Sequence, residues 1–170
     1  KMSHAENKVE WCLRKAEREL KEAGKHRGLI KVTPDLEKAR AYVSKAEHYL
    51  RATDYLKKGN FSDISISTVF YSMYHCLLAI AAKFGYESRN QECTFALAYK
   101  LIGDNKIDLN KELVNKISTL EPKDSDEKTS TEIREECQYG TKLSIKDNLY
   151  KELFELAQNM MSKTKEIIEK

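Results

Sequence analysis

The residues in this chain suited to proton transfer or phosphate binding are four histidines and seven arginines, scattered along 170 residues. His75 stands out because it lies inside the most apolar stretch, one helical turn after Tyr71. An imidazole there can move a proton at neutral pH or can sit hydrogen-bonded in a packed helix. Arg134 suits a bidentate phosphate clamp, or a surface pair with a neighbour such as Glu132 or Glu135. The cysteines at 12, 76, 93 and 137 show none of the short paired spacings of zinc sites, so free buried thiols are expected. No Gly-rich phosphate loop or nucleophile elbow is present, which leaves conventional kinase and hydrolase chemistry without a motif. No metal and no cofactor are expected.

These side chains must be positioned by helices. Six Gly and two Pro leave few obligatory turns, and abundant Lys, Glu, Leu and Ala favour helix. Val9, Leu13, Ala16 and Leu20 recur at helical spacing and predict a helix over 5–23, ended by Gly24. Residues 25–31 read as a connector. Thr33 and Pro34 then suit the start of a second helix, whose stripe of Leu36, Ala39, Val43, Ala46 and Leu50 runs on to Lys57, Lys58 and Gly59. Its tyrosines, Tyr42, Tyr49 and Tyr55, are expected at the rim of that stripe.

The stretch 64–84 is apolar nearly all round, with small Ser72, Cys76, Ala79 and Ala82 between large residues. Such a helix belongs at the centre of a bundle. Shorter helices are predicted over 91–102, over 109–120 with Asp108 as cap, and around 131–138. A long one follows Ser144, whose spacing to Asp147 approximates a capping box. Residues 122–130 read as an exposed loop. The fold class expected is therefore all-α, an up-and-down bundle of four to six helices in a single domain over 1–170.

A charged fraction of 34% and a net charge of +3 bound the function classes. The charge is far below that of a protein that coats DNA, and no uninterrupted apolar run reaches the length of a membrane span. No secretory signal is visible at the start, so a cytoplasmic protein without a membrane partner is expected. Trp11 is expected in the core.

Three segments resemble the HEPN domains (higher eukaryotes and prokaryotes nucleotide-binding), in their small stand-alone prokaryotic form. They are the helix from Ala46 to Gly59, the run Ser67-Thr68-Val69-Phe70-Tyr71-Ser72-Met73-Tyr74-His75, and the late Arg134-Glu135-Glu136-Cys137-Gln138-Tyr139-Gly140. The resemblance implies a helical bundle that forms a homodimer, binds RNA or a nucleotide, and pairs with a nucleotidyltransferase in a toxin-antitoxin module. The helix over 5–23 and the loop over 122–130 are additions to the shortest members. Some members are metal-independent endoribonucleases that use an Arg followed about four to six residues later by a His. Here Thr68 stands at the Arg position, Gln91 stands where many members have a second His, and no Arg precedes a His at that spacing. The reading that follows is a binding or interaction module without the standard RNase pair, with Arg134, Tyr139, His75 and Tyr71 as the nucleotide- or RNA-binding residues. Tyr139 packs against the last helices or accepts a nucleotidyl group from a partner. The alternatives are an active RNase toxin using His75 and Arg134 as an unorthodox pair, and a purely structural helical subunit.

Overall fold

The computed structural model describes residues 3–120 and 140–170. Six helices and a two-stranded ribbon make up the described residues: α1 (His4–Ala23), β1 (Leu29–Lys31), α2 (Leu36–Lys58), α3 (Ser62–Lys83), β2 (Tyr86–Ser88), α4 (Gln91–Gly103), α5 (Lys111–Ser118) and α6 (Asp147–Glu169). The all-α class expected from the composition is what the chain adopts.

The architecture has α3 at its centre. It packs on α2 and α6 on one side and on α4 and α5 on another, with β2 near its C-terminal end. Burial on several sides explains why no single polar face could be kept. It is the one described helix long and apolar enough to cross a membrane, and 72% of that window is buried inside the fold. The α2–α3 pair is close because small residues meet there: Ala39, Ala46 and Thr53 on α2, and Ser65, Ser72, Ala79 and Ala82 on α3, are all buried. Ser72 Oγ donates to the Ala46 carbonyl at 2.8 Å, and the hydroxyls of Thr53 and Thr68 share a hydrogen bond of 2.7 Å. Each buried hydroxyl is thereby satisfied, without which it would cost stability.

Helix ends follow local chemistry, with some shifts from expectation. Ser3 and Glu6 form a reciprocal capping box on α1. Asp35, not Thr33, caps α2, its Oδ1 accepting from the Lys38 amide at 2.9 Å, because the Asp35 amide is itself held by the Ala82 carbonyl. Asn110, not Asp108, caps α5, and α6 starts after Lys146 with no side-chain cap, so Ser144 does not play that part. The expected loop over 122–130 and short helix over 131–138 lie outside the described residues.

The connector at 25–31 contains β1, which pairs antiparallel with β2. Gly85, just before β2, has φ +78° and lies so near the Val32 carbonyl that a Cβ would come within 2.7 Å of it. Glycine is required there on both counts. His26 and Glu87 lock the ribbon to the chain after α1. The Gly28 amide donates to His26 Nδ1, so the imidazole carries its proton on Nε2 and donates it to Glu87 Oε1 at 3.1 Å. Burial pushes the Glu87 carboxyl up, but His26, Lys38 and Arg89 outweigh it and hold the group below its ordinary range.

Helix α1 lies outside the α2–α3–α6 group, packed on α4 and β1. Cys12 on α1 and Cys93 on α4 are joined in a disulfide with their Cα atoms 6.0 Å apart. This corrects the expectation of free thiols for those two residues: the fold brings together positions 81 residues apart. Cys76 is free and buried, as expected, and burial pushes its thiol up to about 12, so it stays protonated. Cys137 lies outside the described residues.

Candidate functional site

Helix α3 is buried all round except along one stripe, where Ile64, Thr68, Tyr71 and His75 follow one another at spacings of four, three and four. Ile64 and Tyr71 are its exposed members and His75 is half-buried. Beside it, α2 presents Tyr42, Lys45 and Tyr49 at spacings of three and four. The close α2–α3 packing sets these two stripes side by side.

The rings form one cluster. The Tyr49 ring lies 5.1 Å from the His75 imidazole and 5.6 Å from Tyr71, and Tyr42 lies 6.0 Å from His75 on the other side. Tyr74, buried behind them, meets the imidazole edge-on at 6.2 Å. Lys45 holds its ammonium over Tyr49, 5.3 Å from the ring centroid. These separations are those of favourable aromatic and cation–π pairs.

The imidazole has a defined tautomer. The Tyr71 carbonyl lies 2.7 Å from His75 Nδ1 and can only accept, so Nδ1 carries the hydrogen. Burial lowers the His75 pKa from its ordinary value, the charge of Lys45 lowers it further, and the bond to Tyr71 opposes them without prevailing. His75 is therefore neutral at pH 7, and its Nε2 lone pair has no partner among the described residues. The arrangement can stack flat rings and can accept a proton at Nε2.

What it lacks is a guanidinium. The Thr68 hydroxyl is engaged with Thr53 and with the Ser65 carbonyl, a packing role within the α2–α3 contact. Gln91 opens α4, capped by Asn90, and is not on either of the helices that carry the stripe. Of the residues expected at the site, His75 and Tyr71 are together, while Arg134 and Tyr139 lie outside the described residues. Tyr42 and Tyr49, expected at the rim, are part of the cluster, and Lys45 joins it without a motif to mark it. Their spacing of three and four was the available signal. Trp11, expected in the core, is 46% exposed on α1.

No group of three or more His, Cys, Asp or Glu capable of holding a metal occurs among the described residues. Comparison with models of protein families and with curated proteins finds no match to this chain. Fold and site define the class only as far as an all-α bundle with an aromatic, histidine-bearing face.

Proposed function

We propose that this chain is a HEPN-like module that binds single-stranded RNA or a nucleotide through the α2–α3 face and lacks the standard Arg/His RNase pair. The observation that carries the reading is the neutral His75, held in one tautomer within the ring of Tyr42, Tyr49 and Tyr71 on the open stripe of α3. Unpaired bases are recognised by stacking on aromatic side chains, and a nearby cation accommodates the phosphate. Lys45 is that cation here. The sequence resemblance supports the same face, because its most specific segment is the one that contains Tyr71 and His75. It also implies a homodimer and a nucleotidyltransferase partner, which belong to the proposal. A cytoplasmic setting belongs to the proposal as well, and it requires the Cys12–Cys93 bond to persist where thiols are normally kept reduced.

The test is anisotropy of an end-labelled single-stranded oligoribonucleotide. Wild type binds without cutting it, and Tyr49→Ala with Tyr71→Ala weakens binding by at least about thirty-fold, at about 1–3 kcal/mol for each of two stacked bases. Unchanged affinity in that variant defeats the reading. The open Nε2 favours one alternative, an RNase with a non-standard site that includes His75 as proton acceptor and Arg134 as phosphate clamp. Turnover of the labelled RNA that disappears in His75→Ala and Arg134→Ala establishes it instead.

A further inference from the structure

Trp11 is a further exposed aromatic residue, and its surroundings differ from those of the α2–α3 face. Lys8 and Lys15, three residues before and four after it, hold their ammonium groups 4.6 Å and 5.1 Å from the indole centroid. Arg14 and Arg18, three and seven residues after Trp11, occupy the same side of α1 and are exposed. Neither makes an ion pair among the described residues. Lys8 is paired with Glu92 of α4 at 2.8 Å, and Lys15 meets Glu19 only at 3.9 Å. From Lys8 to Arg18 the stripe runs about 15 Å along the helix. Two of its four cations lie over the indole, each also meeting a carboxylate, and the two arginines beside them carry the charge that is not paired.

We infer that this face of α1 is a second contact for single-stranded RNA, with Trp11 stacking a base and Arg14, Arg18 and Lys15 holding the adjoining phosphates. The inference rests on the RNA reading above and extends it to a surface that the sequence resemblance does not cover. The unpaired charge of Arg14 and Arg18 selects a phosphate-bearing ligand, and the indole selects one with flat, unstacked rings, which a duplex does not offer. A membrane surface is a poor match. A helix that lies on lipid inserts its apolar face, whereas the apolar face of α1, with Val9, Cys12 and Ala16, is buried and tied to α4 by the disulfide. To free one face of the indole for a base, Lys15 swings off the ring, giving up its cation–π contact and its 3.9 Å pair with Glu19, both weak at an exposed site.

Trp11 is the single tryptophan of the chain, so its fluorescence reports on this face alone. The oxidised full chain is titrated with a mixed-sequence single-stranded oligoribonucleotide, following Trp11 emission and, in parallel, anisotropy of the labelled RNA. The expected result is saturable quenching with the same midpoint as the anisotropy. Arg14→Glu with Arg18→Glu is expected to weaken binding at least ten-fold and to flatten the dependence of log affinity on log salt by about 1.4, the share of two single-strand phosphates. Both residues are exposed, and an unchanged helical circular dichroism spectrum checks the fold of the variant. RNA that binds with Trp11 emission unchanged and affinity indifferent to the two arginines overturns this inference while leaving the α2–α3 reading in place. Quenching that survives Tyr49→Ala with Tyr71→Ala at undiminished affinity supports α1 and defeats that reading. Equal quenching by duplex RNA, polyglutamate or phosphatidylserine vesicles overturns the assignment to single strands.

Discussion

Helices α1 and α3 both carry exposed aromatic groups, but they are held in opposite ways. α3 is fixed by burial on several sides and by hydroxyl bonds to α2. α1 touches only α4 and β1 to any extent, and a covalent bond secures it. The His75 face is thus a rigid part of the core, with one lysine near it, whereas the Trp11 face belongs to a stapled outer helix, with Lys8, Arg14, Lys15 and Arg18 along it. A site that works by ring geometry benefits from the first kind of support. One that works by charge tolerates the second, because Coulomb attraction depends weakly on small displacements.

The largest expected effect breaks the staple. Cys12→Ser with Cys93→Ser opens a loop of 81 residues and is expected to cost about 3–4 kcal/mol. Hydrogen exchange should then show α1 losing protection well before α2 and α3. Simultaneous loss in all three helices means that α1 is as integral to the core as α3, which ends the contrast.

Overpacking the α2–α3 contact comes next. Ala46 is fully buried where Ser72 reaches its carbonyl, and Ala46→Leu is expected to cost about 2 kcal/mol. The resonances of Tyr71 and His75 should move in an NMR spectrum while Trp11 stays put. A thermal melt indistinguishable from wild type would show that the small residues are not what brings the helices together.

A smaller effect lies in pH. The His75 pKa is lower in the fold than its ordinary value of 6.5, chiefly through burial, so below 6.5 the unfolded chain binds the proton more readily than the folded one. Stability from this group is full above 6.5 and is lost as pH falls through the folded pKa. An NMR titration should place the midpoint of His75 below 6.5, and His75→Gln should remove that part of the acid sensitivity. A midpoint above 6.5 contradicts the burial of the ring. The smallest effect sharpens the same point: Lys45→Met removes a neighbouring positive charge, so the His75 midpoint should move back up. No movement means that Lys45 does not act on the imidazole.

The apolar run of α3 and the stop at Gly24 were legible because each is a local pattern of spacing or backbone preference. The strands at Leu29–Lys31 and Tyr86–Ser88 were not, since three residues carry too little alternation to signal a strand. Of the candidate site, His75 and Tyr71 were legible as neighbours on one helix. Lys45 and Tyr49 were not linked to them, because the register of α2 against α3 depends on how Ala46 and Ser72 meet in space.

By itself, then, the sequence determined an all-α chain with one helix that had to be buried among others, through hydrophobic periodicity and the scarcity of Gly and Pro. Only the tertiary structure decided that Cys12 meets Cys93, that Trp11 faces outward among cations, and that His75 sits in a ring of tyrosines. Each of these is a meeting of residues on different helices, or the choice of which helix face stays uncovered. Those outcomes follow from the packing of the whole bundle.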